Sequence, residues 1–374
     1  MSDNIPFESQ MEIIQRISDT KSLIRCRSVS KAWKFVLDSK KFVNAHTLRH
    51  EAHNLHLLIQ ERDLEVKYVD DDTFPHQKHV FILHSVHKFI NDDSMILGSS
   101  HGLLCLYELE MRIAVIWNPW IRKTVDVAIP NVFSKHYTRT VVGFGVCPCR
   151  LEPKLVKITY NVDFGRLKYR NTSSQVEVLT LSSGGTWRSP LSSNLPHKSI
   201  WFEFSQAVVD GFIYWNAYKR IIVGGAFLTP KLIMSFDLTR EELTQVNLPD
   251  CLALNHGDVL LLCNLRESLA TLEFEFNVYN ETVTHHVWMM IGHGCTRSFT
   301  KLYSINETDA SIYTTLVFRK TGAPIVAVKN NKDDHYSEFE LAIHEPESVT
   351  NTKIGIHGTR FVHSDMETLL LLGH

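Results

Sequence analysis

Gly98-Ser99-Ser100-His101-Gly102 satisfies the spacing Gly-x-Ser-x-Gly, in which Ser100 would be the nucleophile of an acyl-transfer enzyme. That chemistry needs a strained strand-to-helix elbow that lifts the serine above a parallel sheet. Here Leu103-Leu104-Cys105-Leu106 and more β-rich sequence follow, so the glycines read as a tight hairpin. A serine hydrolase built on Ser100 is kept as the remote alternative. Cys147 and Cys149 are separated by a single residue. A structural zinc site needs four ligands, usually in two pairs, and no second pair lies near. His285 and His286 would point to opposite faces of a strand and could not easily share one ion. No phosphate-binding or dinucleotide loop is present. No catalytic residue, cofactor or metal is therefore expected. The basic stretch Arg25–Lys34 holds one aromatic residue and falls among helical signals, which argues against nucleic-acid binding. Asp70-Asp71-Asp72 and Asp92-Asp93 read as solvated loops.

Composition narrows the class further. A chain of 374 residues with 44% hydrophobic content can bury a sizeable core. The formal net charge of −2 gives no global field toward nucleic acid or anionic membrane. Residues 1–50 carry nine Lys/Arg against five Asp/Glu, so the first fifty residues are basic while the remainder is acidic. The seven cysteines are odd in number and scattered, several inside apolar runs, as buried free thiols in a reducing compartment would be. The longest apolar runs, near Val259–Cys263 and Leu369–Leu372, are strand-sized, well short of the roughly 18 residues of a membrane span. An intracellular soluble protein, cytoplasmic or nuclear, is expected.

The first fifty residues carry three helical signals. Ile5-Pro6 puts a proline in a first turn, with Asn4 or Asp3 as cap. Met11, Ile14 and Ile17 recur along one face, with Ile13 beside them. Ser18-Asp19-Thr20 interrupts the pattern and offers caps for a second short helix with Leu23, Ile24 and Cys26. Ser28 can cap a third, holding Val29, Trp33, Val36 and Leu37. Three helices this short make a core below the size that usually folds alone. They hold more large apolar residues than such a core hides, so their sink is either a partner or the rest of the chain.

Residues 5–42 resemble an F-box. The carrying residues are Ile5-Pro6, Ile13-Ile14-Gln15-Arg16-Ile17, Lys21-Ser22-Leu23-Ile24-Arg25 and Val29-Ser30-Lys31-Ala32-Trp33. The family's Leu-Pro start is Ile-Pro here, and the link Ser18-Asp19-Thr20 is one residue longer than usual and lacks the proline. The resemblance implies docking to a Skp-type adaptor and, through it, a cullin scaffold. It implies that Pro6, Met11, Ile14, Ile17, Leu23, Val29 and Trp33 supply the adaptor-facing and core positions, without dividing them between the two roles.

From about residue 55 the pattern changes to short apolar or alternating runs bounded by Gly, Pro, Asn and Asp, the mark of many strands. Leu55–Gln60, Glu65–Val69 and His79–His84 are strand-like. A strand-turn-strand motif recurs at 113–130, 176–190, 232–249, 274–290 and 339–356. Each repeat unit reads as a four-stranded sheet, blade-sized for a β-propeller. Five units run from about residue 96 to 358. The strands before residue 90, together with Arg360–Leu372, would make a sixth. The expected fold is thus a small all-α module (residues 1–48) followed by a large all-β domain (residues 49–374). A degenerate kelch-like six-bladed propeller is the leading form of that domain, and a large β-sandwich is the alternative.

The β-region also resembles the F-box-associated domain of plant proteins. The ordered matches are Ile96–Cys105, Trp117-Asn118-Pro119, Val142-Gly143-Phe144-Gly145, Trp187-Arg188, Val209-Asp210-Gly211 with Tyr214-Trp215, and Ser235-Phe236-Asp237-Leu238. Cys147-Pro148-Cys149-Arg150 departs from the acidic turn that relatives carry there. The function implied is a non-catalytic substrate receptor of a ubiquitin ligase, with an unknown protein as target. The alternative is a propeller interaction protein outside any ligase. Most tryptophans fall within the repeats and read as packing. Trp120 and Trp201 lie nearest to turns and are the candidates for target contact.

Overall fold

The computed structural model describes residues 5–50, 55–61, 66–70, 76–89, 94–130, 138–161, 174–192, 200–219, 221–223, 226–254, 260–277, 282–292, 297–306, 312–329, 339–348, 350–357 and 359–372. Asp71, Asp72, Asp92, Asp93 and Cys295 lie outside them.

Four helices come first. In α1 (Phe7–Gln15), Pro6 is the N-cap itself rather than a first-turn residue. It has no N–H to leave unpaired there. The turn closes through Gln10, whose N–H donates to the Pro6 carbonyl at 3.0 Å and whose side chain donates to the Ile5 carbonyl at 2.8 Å. In α2 (Thr20–Cys26) Asp19 caps as expected, its carboxylate accepting from the Ser22 N–H at 2.7 Å. α3 (Lys31–Leu37) is capped by Ser30, whose Oγ accepts from the Trp33 N–H at 3.1 Å. Ser28 does not cap it. Its N–H is spent on the Arg25 carbonyl at 3.0 Å, so it still belongs to the exit of α2. Arg27 then clamps Asp38 with two bonds of 2.5 and 2.7 Å, joining that exit to the end of α3.

α4 (Lys40–His50) is a fourth helix that the apolar periodicity does not announce. Its buried side is Phe42, Val43, His46 and Thr47, half of it polar. Apolar periodicity alone therefore does not mark that face as an inside.

Among the described residues, six antiparallel sheets of three or four strands follow. The first pairs Thr359–Met366 with Leu55–Glu61, then Val66–Asp70 and Gln77–His79. The early strands and the late segment thus share one sheet, as the repeat count anticipated. His79–His84 is not a strand. The chain leaves the ladder after His79 and starts a helical turn at His84. The second sheet runs Ser94–Ser100, Leu103–Glu108, Ile113–Asn118 and Lys123–Ala128. The fourth holds Ile200–Val209, Phe212–Lys219, Lys231–Asp237 and Glu242–Val246, with a small hairpin inserted before its third strand. The fifth (Leu260–Asn306) and sixth (Ile312–His357) are simple four-stranded meanders.

The third sheet breaks the pattern. Thr138–Cys147, Glu152–Asn161 and Gln175–Thr180 form three strands. The expected fourth, near Trp187, is reduced to one bridge between Val178 and Arg188. A 3-10 turn and two left-handed glycines, Gly184 and Gly185, divert the chain first. Side chains then do the work of the missing ladder. Arg188 donates to both oxygens of Glu241 at 2.6 and 2.7 Å, Lys154 donates to it at 2.8 Å, and the Leu191 N–H adds a fourth bond at 3.0 Å.

By contacts the chain divides into two compact units. One holds the helices, residues 63–128 and residues 363–374; the other is essentially residues 129–362. In the first, Leu58, Val66, Phe89, Leu104, Val115 and Trp117 form the core of the two sheets. In the second, Trp215, Phe236, Ile213 and Ile158 anchor one of several clusters. No helix among the described residues is long and apolar enough to cross a membrane.

Candidate functional site

The helical module separates its apolar residues into two sets. Met11, Ile14 and Leu23 are buried, at 8%, 1% and 1% exposure, together with Leu37, Phe42 and Val43. These are the module's buried apolar residues. A second set faces outward: Ile5, Phe7, Ile13, Val29, Phe35 and Leu48. They are six of the thirteen large hydrophobics exposed among the described residues, on a module that is a small part of the chain. Exposed large apolar side chains concentrated on so small a module are candidates for partner contact.

Of the residues singled out by sequence, Pro6 and Val29 are exposed, Ile17 and Trp33 are half-buried, and Met11, Ile14 and Leu23 are inside. The Trp33 indole N–H donates to Gln10 Oε1 at 2.9 Å, so this ring ties α3 to α1. Phe7, Ile13 and Phe35 are exposed as well, although sequence alone marks none of them as an adaptor-facing position. An apolar residue off the periodic face carries no signal of its own.

The module's other side is bolted to residues 363–372. The Thr20 N–H at the start of α2 donates to Glu367 Oε2 at 3.2 Å. In α4, Thr47 Oγ1 lies 3.3 Å from Thr368 Oγ1. The same segment is held from the second sheet. Asn118 Nδ2 donates to the carbonyls of Thr368 and Leu370 at 3.0 and 2.8 Å, and Lys123 Nζ to that of Leu372 at 2.8 Å. Leu369–Leu372, strand-sized in sequence, is buried and ends in a turn.

Trp120 belongs to this junction. Its indole N–H donates to Asp365 Oδ2 at 2.8 Å, and its ring lies 4.9 Å from both His56 and Tyr68. Burial pushes the Asp365 carboxyl up to about 7 against the pull of the Trp120 bond, and burial likewise raises Glu367. Ile24, Tyr68, Phe81, Trp120, Arg122 and Glu367 line a cleft of about 400 Å³ against α2. Trp201, in the other unit, is half-buried between Tyr218 (5.6 Å) and the Arg139 guanidinium (5.8 Å).

The remaining candidates resolve locally. Ser100 ends a strand that returns through His101 and Gly102 into an antiparallel partner. The strand-to-helix elbow is absent, and its Oγ contacts the neighbouring His101 Nδ1 at 3.1 Å. His285 turns inward to Thr315 Oγ1 at 2.8 Å, while His286 takes Ser304 and Glu275 on the opposite face. Among the described residues no three His, Cys, Asp or Glu side chains converge as a metal site would require.

Comparison with known proteins places these surfaces. The F-box domain family matches residues 2–44, and the F-box associated beta propeller domain matches residues 51–367. The chain belongs to the F-box associated beta propeller family. It is a plant-type F-box protein, and its six sheets are the blade-sized repeats of that propeller. An F-box protein of Arabidopsis thaliana is 29% identical over 226 residues, covering 56% of this chain and 50% of the relative. A putative F-box protein of the same plant is 28% identical over 252 residues, covering 66% and 60%. The chain thus spans about half to three-fifths of the length of these relatives. The WD40 domain of SCAP from fission yeast aligns distantly, at a TM-score of 0.30 and 9% identity over 80% of this chain and 84% of that one.

Proposed function

We propose that this F-box protein is the substrate-recognition subunit of a Skp–cullin–F-box ubiquitin ligase. Its F-box docks a Skp-type adaptor, and its β-domain holds a protein target. The carrying observation is the outward apolar set of the F-box, left exposed while Met11, Ile14, Leu23 and Leu37 of the same helices are buried. Pro6, Ile13, Val29 and Phe35 face the adaptor in this reading. Met11, Ile14 and Leu23 hold the helices beneath them, while Ile17 and Trp33 stand at the border. Trp120 and Trp201 are proposed target contacts at the cleft and on the fourth sheet. The receptor needs no catalytic group of its own, since holding target and scaffold together raises the effective concentration of the reacting pair. Such an adaptor places the work in the cytoplasm or nucleus.

The test is co-expression with a Skp-type adaptor and size-exclusion chromatography, comparing the native chain with Ile13→Asp and Phe35→Asp. Both positions are exposed, so the variants should keep the native melting temperature. Loss of a one-to-one complex with folding intact supports the reading. A folded native chain that never co-elutes would overturn it in favour of a propeller interaction protein outside the ligase.

A further inference from the structure

Three turns meet around one hydroxyl in the second unit. The strand Thr138–Cys147 reverses over Pro148–Leu151, with the Leu151 N–H closing onto the Cys147 carbonyl at 2.8 Å and Leu151 itself left-handed at φ 50°. Pro148 is seated on the neighbouring Asp210-Gly211 turn. A Cβ at Gly211, where φ is +76°, would come within 2.7 Å of the proline ring, so only glycine admits it. The third turn, Asp237–Glu241, is fixed by the Asp237 carboxylate, which accepts from the N–H groups of Thr239 and Arg240 at 2.7 and 2.9 Å. Thr239 Oγ1 then contacts both sulfurs: Cys147 Sγ at 3.6 Å and Cys149 Sγ at 3.7 Å.

We propose that Cys147 and Cys149 form a peroxide-responsive thiol pair that closes into a disulfide. Both sulfurs reach one hydroxyl, and the proline between the two residues restricts the backbone to a narrow range. Residues two apart in a tight reversal have the short Cα separation that a disulfide accepts. Their environments also differ in the way a sensor requires. Cys149 is exposed, whereas Cys147 is 1% exposed and part of the hydrophobic core. The exposed thiol meets oxidant first, and the buried one is held ready to resolve it.

The chemistry balances with a peroxide as oxidant. The Cys149 thiolate attacks one peroxide oxygen, the O–O bond breaks, and sulfenic acid forms as hydroxide departs. The Cys147 thiolate then attacks the Cys149 sulfur, the S–O bond breaks, and a second hydroxide departs. Protons from the two thiols convert both hydroxides to water. Two thiols and one peroxide thus give one disulfide and two waters. The new bond draws Cys147 Sγ away from Thr239 and tightens the turn, changing the surface that these three turns share.

The test treats the full chain with a small excess of hydrogen peroxide, blocks remaining thiols with N-ethylmaleimide in denaturant, and maps tryptic peptides by mass. Cleavage after Arg139 and Arg150 leaves both cysteines on the peptide spanning 140–150. That peptide should lose two hydrogens and take up no maleimide in most molecules. Exposed Cys251, which has no such neighbour in sequence, serves as internal reference and should be trapped by dimedone. In Cys147→Ser, Cys149 should become dimedone-reactive; in Cys149→Ser, Cys147 should stay reduced. A native chain whose Cys149 carries dimedone or sulfinic acid while Cys147 still takes maleimide overturns the proposal. So does a 140–150 peptide that remains fully reduced while Cys251 reacts.

Discussion

At the scale of single residues, two buried carboxyls set opposite pH dependences. Asp365 is held at about 7 in the fold against an ordinary value of 3.8. The folded chain therefore binds a proton there that the unfolded chain has released. The stability that this adds is full below about 4, falls as pH rises, and is lost above 7. Asp365→Asn keeps an acceptor for Trp120 and removes the titration. Its melting temperature should exceed that of the native chain at pH 8 and approach it at pH 5. Glu241 behaves the other way. Its bonds to Arg188 and Lys154 hold it down at about 2, overriding the cost of its burial. The stability it adds is present above 4.5 and disappears as pH falls toward 2. Glu241→Gln strands Lys154, whose side chain is 7% exposed. Breaking a buried pair from one side costs about 3–5 kcal/mol, so urea melts at pH 7 should show a loss of that order. Neither carboxyl stood out in the sequence, because a lone Asp or Glu carries no mark of what surrounds it. Ser100 did stand out, and the sequence that follows it was enough to read the motif as a hairpin.

Between residues and molecule, the elements show which signals were legible. Helices α1 to α3 were visible because their buried residues are apolar and periodic. α4 was not, since two of its four buried residues, His46 and Thr47, are polar, and Thr47 meets Thr368 far along the chain. The start of α3 was misplaced by two residues because Ser28 and Ser30 are equally good caps in isolation, and only the hydrogen bonds of the α2 exit choose between them. The fourth strand of the third sheet failed for a comparable reason: a salt-bridged cluster, invisible to periodicity, replaced the ladder. One turn residue gives a sharp prediction. At Gly102, φ is +76° and an added Cβ would lie 2.1 Å from the Met366 carbonyl and 2.6 Å from the Thr368 side chain. Gly102→Ala combines a left-handed penalty of about 1 kcal/mol with a clash that the backbone must absorb. It should destabilise by about 2 kcal/mol or more, and hydrogen exchange should quicken in α4 and residues 363–372 as the segment lifts.

Across the whole molecule, the repeat count was the most readable feature. Strand-turn-strand motifs at blade-like spacing led to six sheets, including the one that joins residues near 60 with residues near 360. The residues proposed to face the adaptor were less readable, because in a module this small core and surface draw on the same apolar alphabet. Only the fold shows which of them are buried and which are exposed. Attachment to the 363–372 segment makes the F-box part of a larger compact unit. A bound adaptor stabilises only the folded form, by about 2.7 kcal/mol at a concentration 100 times its Kd. Its protection should therefore spread from the helices to Thr368–Leu372, while the strand Phe339–Glu345 should exchange as before. Protection confined to the helices would show that the bolts between them are weak.

Those bolts also order events in time. Thr20 and Glu367 are 347 residues apart in sequence, and Thr47 and Thr368 are 321. A ribosome makes the F-box first, but the groups that seat α2 and α4 emerge after nearly all of the propeller. Contacts this distant form late. The nascent chain therefore carries its F-box helices without that clamp until residues 363–372 have been made. A chain halted before residue 359 would lack both the edge strand of the first sheet and that clamp. Completion of the helical unit is thereby tied to the synthesis of residues 359–372.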